Sequence, residues 1–302
     1  MLNSIPSVSY ILCVYNGEKT LAESLHSLYR QKDIDLEIIA VDDGSGDNSL
    51  KILKGFERKY GRMKIVSIRH SGLAQARNTG ISIARGDYLA SAAQDDIYLP
   101  EKTIKQVRYL EKHKLDFCFC EVELIDSRGK KVEHPSLRIY NARFWSMKLV
   151  IAQVIWRFDV CSPTFICRKR CYKKLKWNPG MLIFNDKHFW IRMFLHFRGG
   201  KLPEIALQYR ISNRQKKLLF NRNFPLGFLY LEHRASVLAA VLPSFFPYKI
   251  LGINKNFFGL VSCYLKLDKN PRDKKSLKLI SHIHQRYGFS YAAKHFAALA
   301  KI

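Results

Sequence analysis

Two pairs of aspartates mark the ends of two short apolar segments in the first third of the chain. Asp42–Asp43 follow the run 36–41, and Asp95–Asp96 follow the run 88–93, with Gln94 between. Short apolar runs that stop at turn residues are typical of buried strands. Because the ligands of an open α/β sheet bind beyond the carboxyl ends of its strands, the two pairs predict a site for a cation and a polyol or phosphate ligand.

Strands and helices alternate through the first part of the chain. Hydrophobic periodicity predicts strands over 8–14, 36–41, 64–68, 88–93 and 117–124, and helices over 20–31, 49–60, 73–84 and 100–113. Thr20 and Glu23 have capping-box spacing at the start of the first helix, and Pro100 is expected to open the last one. Repeated β-α units predict an α/β fold, with a Rossmann-like, mostly parallel sheet flanked by helices on both faces.

The second part of the chain is less regular. We expect helices over 141–156 and 186–197, strands over 164–168 and 205–211, and helical stretches over 228–241 and 276–287. Residues 1–223 are therefore interpreted as one domain, with halves of about 1–120 and 121–223. Residues 224–302 are interpreted as a basic, aromatic-rich helical C-terminal extension that packs on this domain.

The positive charge of the chain is concentrated in its second part. Of the formal net charge of +26, residues 1–120 contribute +2, with 17 Lys and Arg against 15 Asp and Glu, and residues 121–302 contribute +24. Two interpretations stay open: a solvated basic face, or a surface for an anionic partner such as a phospholipid leaflet, a lipid pyrophosphate or an acidic glycan. For residues 224–302 the alternatives are peripheral contact with an anionic membrane and a helical cap on the core. A nucleic-acid partner is disfavoured, because no helix-turn-helix, finger or RNP motif is found.

The sequence also indicates the cellular compartment in which the protein is expected. No apolar stretch is long enough to cross a membrane, and the N-terminus lacks the basic start of a signal peptide. The seven cysteines contain no C-x-x-C pair, so buried, reduced thiols are the favoured interpretation. We expect a cytoplasmic protein that, if its basic tail binds lipid, lies at the cytoplasmic face of the membrane.

Five sequence blocks, in order, carry a resemblance to a known family. They are VSYILCVYNG at 8–17, VDDGSGDNS at 41–49, GLAQARNTG at 72–80 followed by RGDY at 85–88, QDDIYLP at 94–100 and NDKHFWIR at 185–192. Together they resemble the motifs of the family-2 inverting glycosyltransferases, which are nucleotide-diphospho-sugar transferases with the GT-A fold. The resemblance covers roughly residues 7–211. It implies transfer of a sugar from a UDP-sugar donor to an acceptor hydroxyl.

By this resemblance, five side chains contact the nucleotide sugar. Tyr15 stacks on or flanks the uracil, and Asp43 accepts a hydrogen bond from the ring N–H of the base. Cys13 takes the place of a small contact near the base, Arg77 belongs to the third block, and Gln94 can hydrogen-bond the ribose. The alternative for Tyr15 and Asp43 is a turn whose residues cap a helix.

Asp95 is matched by the resemblance to the family's metal-coordinating aspartate. With pyrophosphate oxygens and water it would hold Mn²⁺ or Mg²⁺, a Lewis acid that neutralises the leaving diphosphate, and Asp96 would lie nearby as support. The other acidic positions of the family's triplet fall at Ala93 or Gln94 here. A site that binds metal weakly is therefore the alternative.

Asp186 is matched to the catalytic base that removes the proton of the acceptor hydroxyl. We expect its carboxylate to be buried beside Phe189 and Trp190, and the alternative role is a helix N-cap. Asn185 replaces the glutamate that precedes the base in the family. The resemblance thus predicts a glycosyltransferase for a glycan or a lipid-linked anionic acceptor, as in surface polysaccharide, lipopolysaccharide or glycolipid synthesis. Its alternative is a catalytically impaired binding or scaffolding subunit with the same fold.

Overall fold

The computed structural model describes residues 4–133, 137, 141, 160–179, 185–211 and 278, and the structural statements that follow concern these residues. Apart from residues 141 and 278, the predicted helices over 141–156, 228–241 and 276–287 and the extension 224–302 lie outside them. The division into 1–223 and 224–302 therefore stays a prediction.

Within the described residues, eight strands form one sheet. They are β1 (Ser7–Val14), β2 (Asp35–Asp42), β3 (Met63–Ser67), β4 (Tyr88–Ala92), β5 (Ile97–Tyr98), β6 (Phe117–Ile125), β7 (Ile166–Arg168) and β8 (Gly199–Arg210), in the order β3-β2-β1-β4-β7-β6-β8-β5. The first four strands of this order pair in parallel, as do β6 and β8. The antiparallel pairs are β4 with β7, β7 with β6, and β8 with β5. The predicted α/β fold with a mostly parallel sheet is confirmed.

Six helices accompany the sheet in the same part of the chain. They are α1 (Leu21–Tyr29), α2 (Ser49–Tyr60), α3 (Leu73–Ile83), α4 (Lys102–Lys112), α5 (Arg170–Lys174) and α6 (Asn185–His196). Strand β5, helix α5 and a 3₁₀ turn at Ser162–Thr164 were not predicted, because each is too short for a periodicity to develop. Strand β8 begins at Gly199 and not at the predicted residue 205, because a bulge in its pairing with β6 accommodates Pro203.

Two predicted helix starts are wrong in detail. Thr20 precedes α1, but its side chain makes no capping hydrogen bond, and the Glu23 carboxylate binds Arg210 instead. The Thr20 N–H already donates a hydrogen bond of 3.1 Å to the Gly17 carbonyl, so the capping box has no free donor for Glu23. Pro100 lies just outside α4, whose N-cap is Glu101.

The core lies on both faces of the sheet. In β1, Tyr10 and Leu12 belong to a cluster that includes residues of α1, α2 and α4. Ile11 belongs to a second cluster, formed with residues of α3 and α6. This alternation follows from the two-residue period of a strand, and it confirms that helices flank both faces.

Strands β1, β2 and β4 end at the same edge of the sheet. Val14 pairs with Asp42 and Leu12 pairs with Ala92, so the chain segments that follow these strands leave the sheet side by side. The two acidic pairs therefore stand at one edge, as the sequence predicts. This edge is the candidate site.

Helix α3 approaches the sheet closely at Gly80. A Cβ at this position would lie 2.7 Å from Ile11 Cγ2 and 3.2 Å from Val41 Cγ2. A larger residue would push the helix away from β1 and β2. The glycine therefore fixes the position of Arg77, which lies about one turn earlier on α3.

The described residues also bear on two expectations from composition. Their cysteines are free thiols: Cys118, Cys120, Cys161, Cys167 and Cys171 are buried, and Cys13 is half-buried. No helix in this part of the chain is long and apolar enough to cross a membrane.

Candidate active site

Asp43 binds the start of helix α3. Its side chain is buried, its Oδ1 accepts a hydrogen bond of 2.7 Å from the Ser71 N–H, and its Oδ2 accepts one of 3.0 Å from the Gly72 N–H. Both donors stand at a helix start, where N–H groups lack partners within the helix and where the dipole favours a negative charge. The capping alternative is thus seen in the structure. Because a carboxylate has about four lone-pair sites, Asp43 retains capacity for a ligand donor.

A pair of stacked rings stands beside Asp43. The ring centroids of Tyr15 and His70 are 4.3 Å apart and their planes differ by 25°. His70 Nδ1 lies 3.1 Å from Asp43 Oδ2. Tyr15 is 45 % exposed, so the aromatic pair presents an accessible surface. His70 was not predicted as a site residue, because it lies between two of the matched blocks.

The Gln94 amide joins the loops that follow β1 and β4. Its Oε1 accepts a hydrogen bond of 2.9 Å from the Tyr15 N–H, and its Nε2 donates one of 3.1 Å to the Tyr15 carbonyl. A Cβ on Gly17 would lie 2.5 Å from Gln94 Oε1, so the glycine leaves the room that the amide needs. Gln94 holds the main chain of Tyr15 in place, and a bond to a ribose would have to share the same amide.

Arg77 and Asp186 link α3 to α6. Arg77 Nη1 lies 2.5 Å from Asp186 Oδ1, and the two side chains are 12 % and 46 % exposed. Burial alone would lower the pKa of Arg77, but the charge of Asp186 and smaller contributions outweigh it and raise that pKa. The guanidinium therefore stays charged and holds the carboxylate.

The predicted burial of Asp186 is wrong, although Phe189 and Trp190 are buried as expected. Asp186 lies in the first turn of α6, so its side chain projects past the end of the core that the two rings fill. Ser162 Oγ donates a hydrogen bond of 3.3 Å to Asp186 Oδ2. The result is a half-exposed carboxylate that is held by Arg77 and accessible to a second molecule.

Cys13 lies close to both Arg77 and Asp43. Burial raises the pKa of its thiol to about 12; the charge of Arg77 lowers it and that of Asp43 raises it by smaller amounts. The thiol therefore stays protonated near neutral pH, which makes it a poor nucleophile. Cys13 can serve as the small neutral contact that the resemblance implies.

The second acidic pair consists of Asp95, which is half-buried, and the more deeply buried Asp96. Asp96 is fully buried; its Oδ1 accepts a hydrogen bond of 2.9 Å from the Arg210 N–H, and its Oδ2 has no hydrogen-bond partner among the described residues. Burial, followed by the charge of Asp95, raises the pKa of Asp96 well above its ordinary value. Burial also raises the pKa of Asp95. Bringing a cation to the pair would favour its charged form.

The side chain of Arg210 holds the loop of this acidic pair. It is 6 % exposed, and its Nη2 lies 2.5 Å from Glu23 Oε2 on α1. Its Nε donates a hydrogen bond of 2.8 Å to the Asp95 carbonyl, and its Nη1 donates to the carbonyls of Asp126 and Ser127 at 3.0 and 3.3 Å. One guanidinium thus connects α1, the loop after β4 and the turn after β6. Sequence analysis gave Arg210 no role.

The acidic pair fits a divalent cation that is shared with a phosphate ligand. In the described part of the chain, no group of three or more His, Cys, Asp and Glu side chains is arranged to hold a metal. Asp95 and Asp96 nevertheless offer hard oxygen ligands, including the unpaired Asp96 Oδ2. Mg²⁺ usually takes one or two carboxylates and completes its shell with water and substrate phosphates. The pair therefore suits Mn²⁺ or Mg²⁺ together with a phosphate-bearing ligand, and not an all-protein cage.

Comparison with known sequences decides the family. Residues 9–176, more than half of the chain, match the sequence model described as glycosyl transferase family 2. The chain belongs to glycosyl transferase family 2. Among relatives of this glycosyltransferase, the putative glycosyltransferase EpsE of Bacillus subtilis is 41 % identical over an alignment of 223 residues that covers 69 % of this chain and 74 % of EpsE. An uncharacterized glycosyltransferase of Methanocaldococcus jannaschii is 30 % identical over an alignment of 218 residues that covers 70 % of this chain and 73 % of that protein.

Solved structures extend the likeness to the fold. The crystal structure of S. aureus TarS 1–349 superposes on this glycosyltransferase with a TM-score of 0.60 at 18 % identity, covering 98 % of this chain and 90 % of TarS 1–349. The mannosyltransferase PcManGT from Pyrobaculum calidifontis gives a TM-score of 0.55 at 16 % identity, covering 99 % and 81 % of the two chains. The predicted GT-A fold, an α/β structure with a mostly parallel sheet flanked by helices, is confirmed.

Proposed function

We propose that this glycosyltransferase moves a sugar from a UDP-sugar donor to an acceptor hydroxyl with inversion at the anomeric carbon. One observation carries the proposal: the Arg77–Asp186 pair places a half-exposed carboxylate beside α3, the helix whose start is bound by Asp43. A candidate proton acceptor and a candidate nucleobase contact are thereby attached to the same helix.

The donor end of the proposed site combines an aromatic surface with an acceptor of hydrogen bonds. The stacked rings of Tyr15 and His70 offer a face to a nucleobase, Asp43 can accept its ring N–H, and Cys13 is a neutral neighbour. Related structures support this class of ligand. TarS has been solved with UDP and with UDP-GlcNAc, and PcManGT with GDP-Man and Mn²⁺.

Asp95 is the proposed ligand of Mn²⁺ or Mg²⁺, with Asp96 beside it. When bound, the cation would act as a Lewis acid for the charge that develops on the leaving diphosphate. Arg210 contributes by fixing the main chain of this loop through the Asp95 carbonyl.

Asp186 is the proposed base. The acceptor oxygen forms a bond to the anomeric carbon while the bond from that carbon to the diphosphate oxygen breaks, and UDP leaves with the electron pair. Asp186 takes the proton of the acceptor hydroxyl and later releases it to solvent. Attack from the side opposite to the diphosphate inverts the configuration at this carbon.

The class of acceptor is proposed from the positive charge of the second part of the chain. Residues 121–302 carry a net +24, which favours an anionic glycan or a lipid-linked acceptor and contact with the cytoplasmic face of an anionic membrane. Surface polysaccharide, lipopolysaccharide and glycolipid synthesis all use such acceptors. This part of the proposal rests on the sequence alone.

The test is a panel of UDP- and GDP-sugars with Mn²⁺, read by nucleotide release. The wild type should turn over at least one UDP-sugar, and Asp186→Asn should lower that rate about 100-fold or more. Asp35→Asn is the matched control, because Asp35 is an exposed aspartate at the far end of β2. UDP with Mn²⁺ should also raise the melting temperature, and Asp95→Asn should abolish that rise.

Each contrary result points to a different correction. If turnover persists in Asp186→Asn, Asp186 is not the catalytic base. Turnover of GDP-sugars alone changes the donor. UDP binding without turnover of any donor favours the catalytically impaired binding or scaffolding subunit.

A further inference from the structure

A stack of rings stands behind Asp186. The Arg77 guanidinium lies over the Trp177 ring, 4.1 Å from its centroid. The other contacts of Trp177 include Phe189, whose ring is 3.9 Å away at an interplanar angle of 11°. Phe189 in turn stacks on Tyr172 at 5.6 Å. Arg77 therefore rests on a buried aromatic column and reaches from it to the carboxylate.

Helix α3 also holds the main chain of Trp177. Asn78 Nδ2 donates a hydrogen bond of 2.9 Å to the Trp177 carbonyl, and the Trp177 N–H donates one of 3.0 Å to Asn78 Oδ1. Two consecutive residues of α3 thus bind one tryptophan, Asn78 at its backbone and Arg77 at its ring. This double attachment fixes the ring relative to the helix.

We propose that Trp177 is a positioning residue for the transfer reaction, because it fixes the Arg77 guanidinium and, through it, the carboxylate of Asp186. The inference rests on the proposed role of Asp186 as base. A free arginine side chain samples many rotamers, and ordering it costs conformational entropy. The ring contact restricts Arg77 to a narrow range of orientations, so that its Nη1 meets Asp186 Oδ1 at 2.5 Å.

If Trp177 has this role, Arg77 orients the proposed base Asp186 and does not contact the donor. The resemblance placed Arg77 among the nucleotide-sugar contacts, but in the structure its guanidinium is paired with Asp186 and covered by Trp177. The two assignments predict opposite kinetic effects. Loss of a donor contact weakens donor binding, whereas a displaced base lowers turnover and leaves donor binding intact.

The kinetic test compares Trp177→Leu, Trp177→Phe and the matched control Phe194→Leu. Phe194 is buried in the same cluster as Trp177, so its variant reports the effect of a smaller side chain in this core. For Trp177→Leu we expect a kcat about 10 to 100 times lower, with the UDP dissociation constant and the donor KM within about twofold of wild type. Trp177→Phe keeps a flat ring under Arg77 and should retain most of the activity.

Two results would overturn the inference in this assay. One is a loss of UDP affinity in Trp177→Leu that exceeds the loss of kcat, which would mean that Arg77 contacts the donor. The other is an equal loss of kcat in Phe194→Leu at the same fall in melting temperature, which would make Trp177 an ordinary core residue.

A stability cycle tests the link from Trp177 to Asp186 without any turnover. The urea midpoint is measured for wild type, Asp186→Asn, Trp177→Leu and the double variant. If Trp177 holds Asp186 through Arg77, the change in midpoint caused by Asp186→Asn should be at least halved in the Trp177→Leu background. Strictly additive changes in the urea midpoint would show that Trp177 and Asp186 are not coupled. A wild type without turnover would instead refute the proposed function, and the cycle would still decide whether Trp177 holds the carboxylate.

Discussion

Removal of the Arg210 guanidinium should cost this fold a measurable part of its stability. The side chain donates four hydrogen bonds, three to main-chain carbonyls and one to Glu23. A hydrogen bond from a charged donor contributes about 1.5–3 kcal/mol. The bond to Glu23, which is 53 % exposed, and the 3.3 Å bond to the exposed Ser127 contribute far less, because solvent screens them.

We therefore expect Arg210→Met to lower the free energy of unfolding by about 3 kcal/mol. Two well-formed bonds account for that loss, and part of it is offset because a guanidinium no longer has to be desolvated. For a chain of this size, 1 kcal/mol corresponds to about 2–4 °C, so the melting temperature should fall by about 6–12 °C. Circular dichroism on heating and a urea titration both measure the change.

Glu23→Gln is the control for this experiment. It removes only the exposed end of the network and should cost less than about 1 kcal/mol. The reasoning fails if Arg210→Met and Glu23→Gln lower the melting temperature equally, since the main-chain bonds of Arg210 would then contribute nothing.

Two further predictions concern packing and pH. Gly17→Ala should be destabilising by about 1–3 kcal/mol, because its Cβ would lie 2.5 Å from Gln94 Oε1 and would displace the amide from its two hydrogen bonds to Tyr15. Gly55→Ala, with open space around it in α2, should instead be stabilising by about 0.5–1 kcal/mol. Urea midpoints that shift in the same direction would contradict this. Burial lowers the pKa of Lys201 from 10.5 to about 8, so the unfolded chain binds this proton more tightly, and Lys201 by itself contributes stability that rises from about pH 8 toward 10.5. Burial raises the pKa of thiols such as Cys13, and these groups contribute stability that falls with pH in the same range. Over this pH range the melting temperature of Lys201→Met should therefore fall relative to that of the wild type, and two parallel curves would rule out the contribution of Lys201.

The sequence predicts most of the elements around Asp43 in the candidate site. Strand ends, turn residues and helix periodicity are local signals, and they place Tyr15, Asp43 and Gln94 at one edge of the sheet. The same signals predict helix α3 and its Arg77. Local patterns suffice here because parallel β-α units bring successive strand ends together.

The contacts between distant segments could not be read from the sequence. Trp177 meets α3 across about a hundred residues of chain. Arg210 joins segments from three parts of the chain, and this network draws Glu23 away from the predicted capping box. Ser162 and His70 likewise contribute through tertiary contacts, which no periodicity encodes.

Helix α3 also determines where this enzyme can be recombined with a relative. Its residues Arg77 and Asn78 come from the first half of the chain, about 1–120, but they bind Trp177 and Asp186 from the second half, about 121–223. A hybrid joined between the two halves would separate these partners, even if both halves fold. Only an incoming half with a flat ring and a carboxylate at the matching positions would restore the contacts, so compatibility with one helix, and not the domain boundary, should guide the choice of junction.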